Sequence, residues 1–307
     1  MSKPAVQTNS EHRYRFGKGE DLREAAQRIL SEQLSRAVEV LSRPGNSLQE
    51  AVHEARRCIK RTRSLLRLVK FAIPATYARE NRRLRDVGRS LSELRDSHAL
   101  VTTLEDLEKD ENVGRGHPPS LPVFEGARTF LESRGQEIAK DMEEGGMERS
   151  VAKLKLALTA IEKLSFAKLD PQGIAKSLFR SVKRGMKAFA TAEHGGEAEK
   201  YHEWRKRAKD LRYQLSLLSE LRPDLQPYSK AAKDLEQLLG DDHNLAVLLS
   251  LLGEAQFAEI EQLHSLQTKI SGRQSALRDR AKKLGRQLYG DKRKKWKHRL
   301  AATAIDA

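Results

Sequence analysis

"VHEARRCIKRTRSLLRL", residues 52–68, is crowded with Arg and Lys, and "YHEWRKRAKDLRYQL", residues 201–215, repeats its order of residue types far downstream. His53, Glu54, Arg56, Lys60 and Arg63 align with His202, Glu203, Arg205, Lys209 and Arg212 at a single offset of 149 residues. At about 100° per residue, Arg56, Lys60, Arg63 and Arg67 fall on one helical stripe beside His53, while Ala55, Ile59, Thr62, Leu66 and Val69 gather opposite. The downstream copy sets His202, Arg205, Lys209 and Arg212 on the same stripe, backed by Trp204, Ala208, Leu211 and Leu215. Both segments therefore read as amphipathic helices with one cationic and one apolar face. Arg57 and Lys206 broaden the cationic sides.

A second echo follows each copy. "LRDSHAL" (94–100) and "LGDDHNL" (239–245) pair Asp96 with Asp241 and His98 with His243 at an offset of 145. The same two motifs in the same order imply internal duplication. Breakers punctuate the rest. "RPGN" (43–46) ends one helical pattern, and Ser47 with Glu50 forms a capping box that starts the next. Asp170 and Pro171 supply an N-cap and first-turn pair, and Gly- and Pro-rich stretches at 113–122 and 194–197 read as loops. A third helix is expected over about 76–108, and a pattern from about 122 to 164 is interrupted at Gly145 and Gly146. No stretch alternates with period two, so no sheet is expected. The expected fold is all-α: two four-helix bundles about a pseudo-twofold axis. The halves are about 20–165 and 170–289, with tails at 1–12 and at the basic 290–307.

Charge narrows the partner. The chain of 307 residues holds 58 Lys and Arg against 43 Asp and Glu, a formal net charge of +15. Such an excess attracts polyanions: nucleic acid, an anionic membrane surface or a phosphate polymer. The lone Cys58 excludes an internal disulfide framework. No apolar run reaches about 18 residues, so a cytoplasmic chain with no membrane partner is expected. A second copy of the chain is a further candidate partner.

Two more basic stripes accompany the first pair: Lys176, Arg180, Lys183 and Lys187, and Arg82, Arg85 and Arg89. A helix face built only for solubility mixes Glu with Lys, because like charges one turn apart repel. These stripes carry no carboxylate of their own, so an external anion is expected to complete them. One helical turn advances about 5.4 Å, a pitch that can address successive phosphates. Reading DNA would need Asn, Gln and Arg aimed at base edges, and single strands would want aromatic stacking platforms. Neither is offered, which leaves a bare phosphate polymer first and nucleic acid second.

His53, His202 and His243 admit three roles: metal ligand, phosphoacceptor or hydrogen-bond partner for phosphate. No two histidines stand three or four residues apart, which disfavours zinc. Histidine phosphotransfer is the enzymatic alternative, although one or two cations would serve it. Asp96, Asp241 and Asp242 read as carboxylates that orient Arg side chains. No catalytic residue, metal or cofactor is assigned.

The paired helices, with "LGDDHNLAVL" after the second, resemble the CHAD family, the conserved histidine α-helical domain, over about residues 13–289. The resemblance implies two pseudo-symmetric four-helix bundles and a basic central surface that binds inorganic polyphosphate, in proteins found with polyphosphate granules. The family's His and basic positions fall on His53, Arg56, Lys60, Arg63, His202, Arg205, Lys209, Arg212 and His243. Asn244 stands where the family usually continues its second histidine into Asp. No E-x-E-x-K strand of the tripolyphosphatase-linked domain is found, so that chemistry is not expected.

Overall fold

A computed structural model describes residues 14–45, 47–112, 122–254, 260–291 and 293–301, and every secondary-structure element in them is helical. The helices are α1 (Leu22–Ser42), α2 (Leu48–Val69), α3 (Pro74–Ser90), α4 (Ser92–Asn112), α5 (Pro122–Asp141) and α6 (Met147–Glu162). They continue as α7 (Pro171–Glu193), α8 (Ala198–Leu217), α9 (Gln226–Glu254), α10 (Ile260–Tyr289) and α11 (Arg293–Ala301). The expected tail over 1–12, residues 113–121 of the expected loop and the side chain of Asp96 lie outside the described residues.

The expected caps start the expected helices. Ser47 Oγ accepts from the Glu50 amide at 3.2 Å, and Asp170 Oδ1 from the Gly173 amide at 2.7 Å, each satisfying an orphan first-turn donor. Helices α1, α2, α3 and α6 pack into one four-helix bundle, and α7, α8, α9 and α10 into another. Their cores are Leu, Ala, Ile and Val. Trp204, fully buried on the apolar face of α8, stacks 5.0 Å from Phe189. A Cβ at Gly285 would stand 2.6 Å from the Phe189 ring and 2.7 Å from Trp204, so α10 reaches its place only as glycine there.

Two features differ from the sequence pattern, and the expected break at Gly145 and Gly146 takes a definite form. The long third helix divides at Leu91, and α4 with α5 forms a hairpin that touches α9 and α10 of the other bundle. The cause is local capture of a carbonyl: Gly88 O accepts from Arg56 Nη1 and from Ser92 Oγ, each at 2.8 Å, which bends the ladder at that turn. Between α5 and α6 a π-type turn (Met142–Gly146) carries Gly145 at φ 101, a conformation that suits glycine. In the C-terminal tail, Arg293–Ala301 is a helix docked on α7, with Trp296 fully buried.

The bundles meet where α2 packs on α7 and α8, and the start of the chain straps that junction. Tyr14 Oη donates to Arg61 O of α2 at 3.0 Å, and Phe16 N donates to Leu217 O of α8 at 3.0 Å. Both rings are buried.

Candidate anion-binding site

A cavity of about 570 Å³ lies at this junction. Helix α2 contributes Arg56, Lys60, Arg63 and Arg67; α3 contributes Arg85 and Arg89; α8 contributes His202, Lys206, Arg207 and Lys209. Three of the four basic stripes thus converge on one hollow between the bundles. The amphipathic pattern explains why: the apolar faces of α2 and α8 fill their own cores, so the polar faces are left to meet at the seam.

The remaining candidates lie elsewhere. His53 and Arg82 are exposed outside the cavity. Arg57 pairs with Glu54 on its own helix at 2.7 Å. Arg212 pairs with Glu236 and sits 5.3 Å from the Tyr213 ring, and Arg205 lies against Gly240. On α7, Lys176 and Arg180 line a separate hollow with Phe71, Lys183 stands 5.9 Å over the Phe179 ring, and Lys187 lines two further hollows.

The stripes are not without carboxylates once folded, contrary to the sequence reading. Asp210, on α8 itself, pairs with Arg67 across the bundle junction. Glu236 reaches over from α9 to Lys209 at 3.0 Å and to Arg212. Burial opposes the charge on Glu236, but Lys209 and Arg212 outweigh it and hold its carboxyl below the ordinary range. Lys206 and Glu203 stand 3.6 Å apart, and Arg85 and Asp86 3.1 Å apart.

The α2 side keeps its positive field. Arg63 Nε donates to the neutral Asn81 Oδ1 at 3.1 Å, and burial followed by the neighbouring Arg67 pushes its pKa down. Lys70 and Arg184 shift the same way, through burial and then through Arg184 and Arg180 for the first and Arg207 for the second. Burial is the first cause in all three and like charge the second, while Asp210 partly offsets the shift of Arg63 and Arg184. Arg56 has a different task. Only 8% exposed, it holds the Gly88 carbonyl and Ser92 Oγ, so its guanidinium ties α2 to the α3–α4 bend.

The histidines form a pair that sequence reading treated as separate positions. His202 Nδ1 and His243 Nδ1 lie 3.1 Å apart, with ring centroids at 4.3 Å. A contact between two ring nitrogens needs one donor and one acceptor, so one of these two must be protonated and the other bare. Burial, then Arg205 and His202, pushes His243 down to about 3, and burial and Lys206 lower His202. At neutral pH the pair therefore carries no charge, and His202 is the member that lines the cavity. Asp242 receives Arg278 Nε at 2.7 Å and Asp241 receives Gln237 at 2.9 Å, so the acidic pair positions neighbouring side chains. His98 is exposed on α4, within the α4–α5 hairpin.

A family model for the CHAD domain matches residues 22–253, most of the chain. The chain belongs to the CHAD domain family. The CHAD match spans both bundles from α1 into α9 and stops short of α10 and α11. The fold is similar to that of PptA from Streptomyces chartreusis, at TM-score 0.63 and 12% identity over 87% of this chain and 98% of that one. It is also similar to the CHAD domain from the plant Ricinus communis, at TM-score 0.55 and 18% identity over 94% of each chain. No curated protein matches the sequence. Among the described residues, no helix is long and apolar enough to cross a membrane.

Proposed function

We propose that this CHAD domain binds inorganic polyphosphate in the cavity between its bundles and performs no chemistry on it. The observation that carries this reading is the convergence of α2, α3 and α8 cations on one hollow in which Arg63 donates to the neutral Asn81 Oδ1. A phosphate chain lying along α2 would meet Lys60, Arg63 and Arg67 at roughly one-turn intervals of about 5.4 Å, with Arg89 opposite. Arginine forks hold phosphate oxygens in pairs, and each neutralised phosphate releases condensed counterions. Retention of the protein at polyphosphate granules would follow from that affinity.

In this non-catalytic reading the Nδ1 contact takes up one nitrogen of His202 and one of His243, and the Nε2 atom of His202 is the one that would hydrogen-bond a phosphate oxygen. The test is a titration of the full chain with long-chain polyphosphate across a range of NaCl concentrations, followed by competition with RNA and DNA at equal phosphate. By the single-strand rule, ten contacts would give a log–log salt slope of about 7. Polyphosphate should displace both nucleic acids. Stronger binding of RNA or DNA, or acid-labile label on His202 from a phosphoryl donor, would overturn the reading.

A further inference from the structure

A trail of positive charge leaves the seam and ends on α11. The central cavity shares Arg207 with a second hollow of about 470 Å³, whose wall includes Arg184, Lys187 and Lys200. That hollow shares Lys187, Thr191 and Lys200 with a third, of about 530 Å³, to which His194 and Arg293 are added. Glu199 and Glu203 line the second hollow, and Glu203 is paired with Arg207 and Lys206. Among the described residues no carboxylate lines the third, although its Lys200 is paired with Glu197 at 2.5 Å. Helix α7 lines the second hollow through Arg184, Lys187 and Thr191 and the third through Met186, Lys187 and Thr191.

Helix α11 is too short and too polar to be stable alone. Its order comes from a buried anchor. Trp296 packs edge-on to Tyr228 at 4.6 Å, and the Arg299 guanidinium covers both rings, at 4.6 Å from Tyr228 and 5.3 Å from Trp296. Arg222 Nη2 donates to the Arg299 carbonyl at 3.0 Å, and Arg299 Nη1 reaches Asp291 at 3.1 Å. This docking fixes Arg293, Lys294 and Lys297 as exposed cations, with no ion pair to any of them among the described residues. A solvated basic tail requires no such anchor.

We infer that α11 is the far end of the polyphosphate track, so that a long chain leaves the seam past Arg207, follows α7 over Lys187 and finishes on Arg293, Lys294 and Lys297. This inference rests on the seam being a polyphosphate site, and it extends that site beyond the residues the family model matches. It makes chain length the specificity-determining property. A chain of a few phosphates fills the seam alone, and only a long one also reaches α11.

The experiment compares two full-length triple variants of equal charge change. One is Arg293→Glu with Lys294→Glu and Lys297→Glu. The other is Lys153→Glu with Lys155→Glu and Lys163→Glu, exposed positions on and just after α6. Affinity is measured for a long polyphosphate and for a chain of a few phosphates over a range of NaCl. The α11 variant should lower the salt slope for the long chain by about 2, the loss of three phosphate contacts, and should match the α6 variant for the short chain. Equal behaviour of the two variants toward the long chain, or equal weakening of both lengths by the α11 variant, overturns the track. Failure of the unmodified protein to bind either length sinks the seam reading, and the track falls with it.

Discussion

Helices α2 and α8 carry the same run of His, Glu, Arg, Lys and Arg, yet their folded surroundings differ. On α8, Lys209 and Arg212 share Glu236. On α2, the corresponding Arg63 faces Asn81, and its Lys60 looks into the cavity. The first arginine of each run also diverges, because Arg56 is hydrogen-bonded to a helix bend while Arg205 lies over Gly240. A repeated sequence therefore does not give a repeated site. On α8 the carboxylate of Glu236 is shared by Lys209 and Arg212, whereas on α2 Arg67 pairs with Asp210 and Arg63 meets an amide oxygen.

That contrast can be broken most directly by charge reversal. Arg63→Glu with Arg89→Glu should cost at least about a hundredfold in polyphosphate affinity, about 3 kcal/mol for two charge-assisted contacts, while Arg212→Glu costs only a few-fold. Isothermal titration of both variants checks this, and equal losses would erase the distinction between the helices. Next in size, Glu236→Gln should lower unfolding free energy by about 2–3 kcal/mol, because Lys209 and Arg212 would then repel without relief. The same change should tighten polyphosphate binding. A denaturant series beside a binding titration reads both, and a variant that loses stability without gaining affinity would show that these two cations cannot reach the polymer.

A smaller effect concerns the histidine pair, which only the α8 side possesses among the described residues. The folded value of His243, about 3, lies below its ordinary 6.5, so the unfolded chain binds the extra proton first as pH falls. Stability is complete above about pH 6.5 and is lost progressively from there toward pH 3, by about 1–2 kcal/mol at pH 5 after allowing for partial exposure. The cations facing the ring are Arg205, Lys206 and Lys209, and they reinforce the same sign. His243→Gln should flatten this acid limb, as followed by denaturant midpoints at several pH values. Smallest of all, Arg56→Ala should destabilise by about 1 kcal/mol and leave the binding salt slope within one contact of the parent.

The sequence pattern exposed whatever is encoded within a few residues. Ser47 with Glu50 and Asp170 with Pro171 marked true helix starts, and the wheel placed Trp204 in the core. What stayed hidden depends on partners brought together by folding. The bend at Leu91 needs Arg56 to reach the Gly88 carbonyl, thirty-two residues further along the chain. The His202–His243 contact joins two helices across forty-one residues. Glu236 belongs to no stripe at all, so periodicity on α8 could not reveal that two of its cations are balanced from α9. Helix α11 escaped because its burial rests largely on one tryptophan in an otherwise basic run, a signal too sparse for periodicity to register.

The strap at the start of the chain gives the molecule an indivisibility that its two-bundle layout conceals. With Tyr14 hung on α2 and Phe16 on α8, a fragment cut between the bundles would strip the first half of the Leu217 carbonyl and of the Tyr213 ring that meets Tyr14 edge-on. Either half studied in isolation would carry a raw hydrophobic wound, and co-expressed halves should find each other and reseal it.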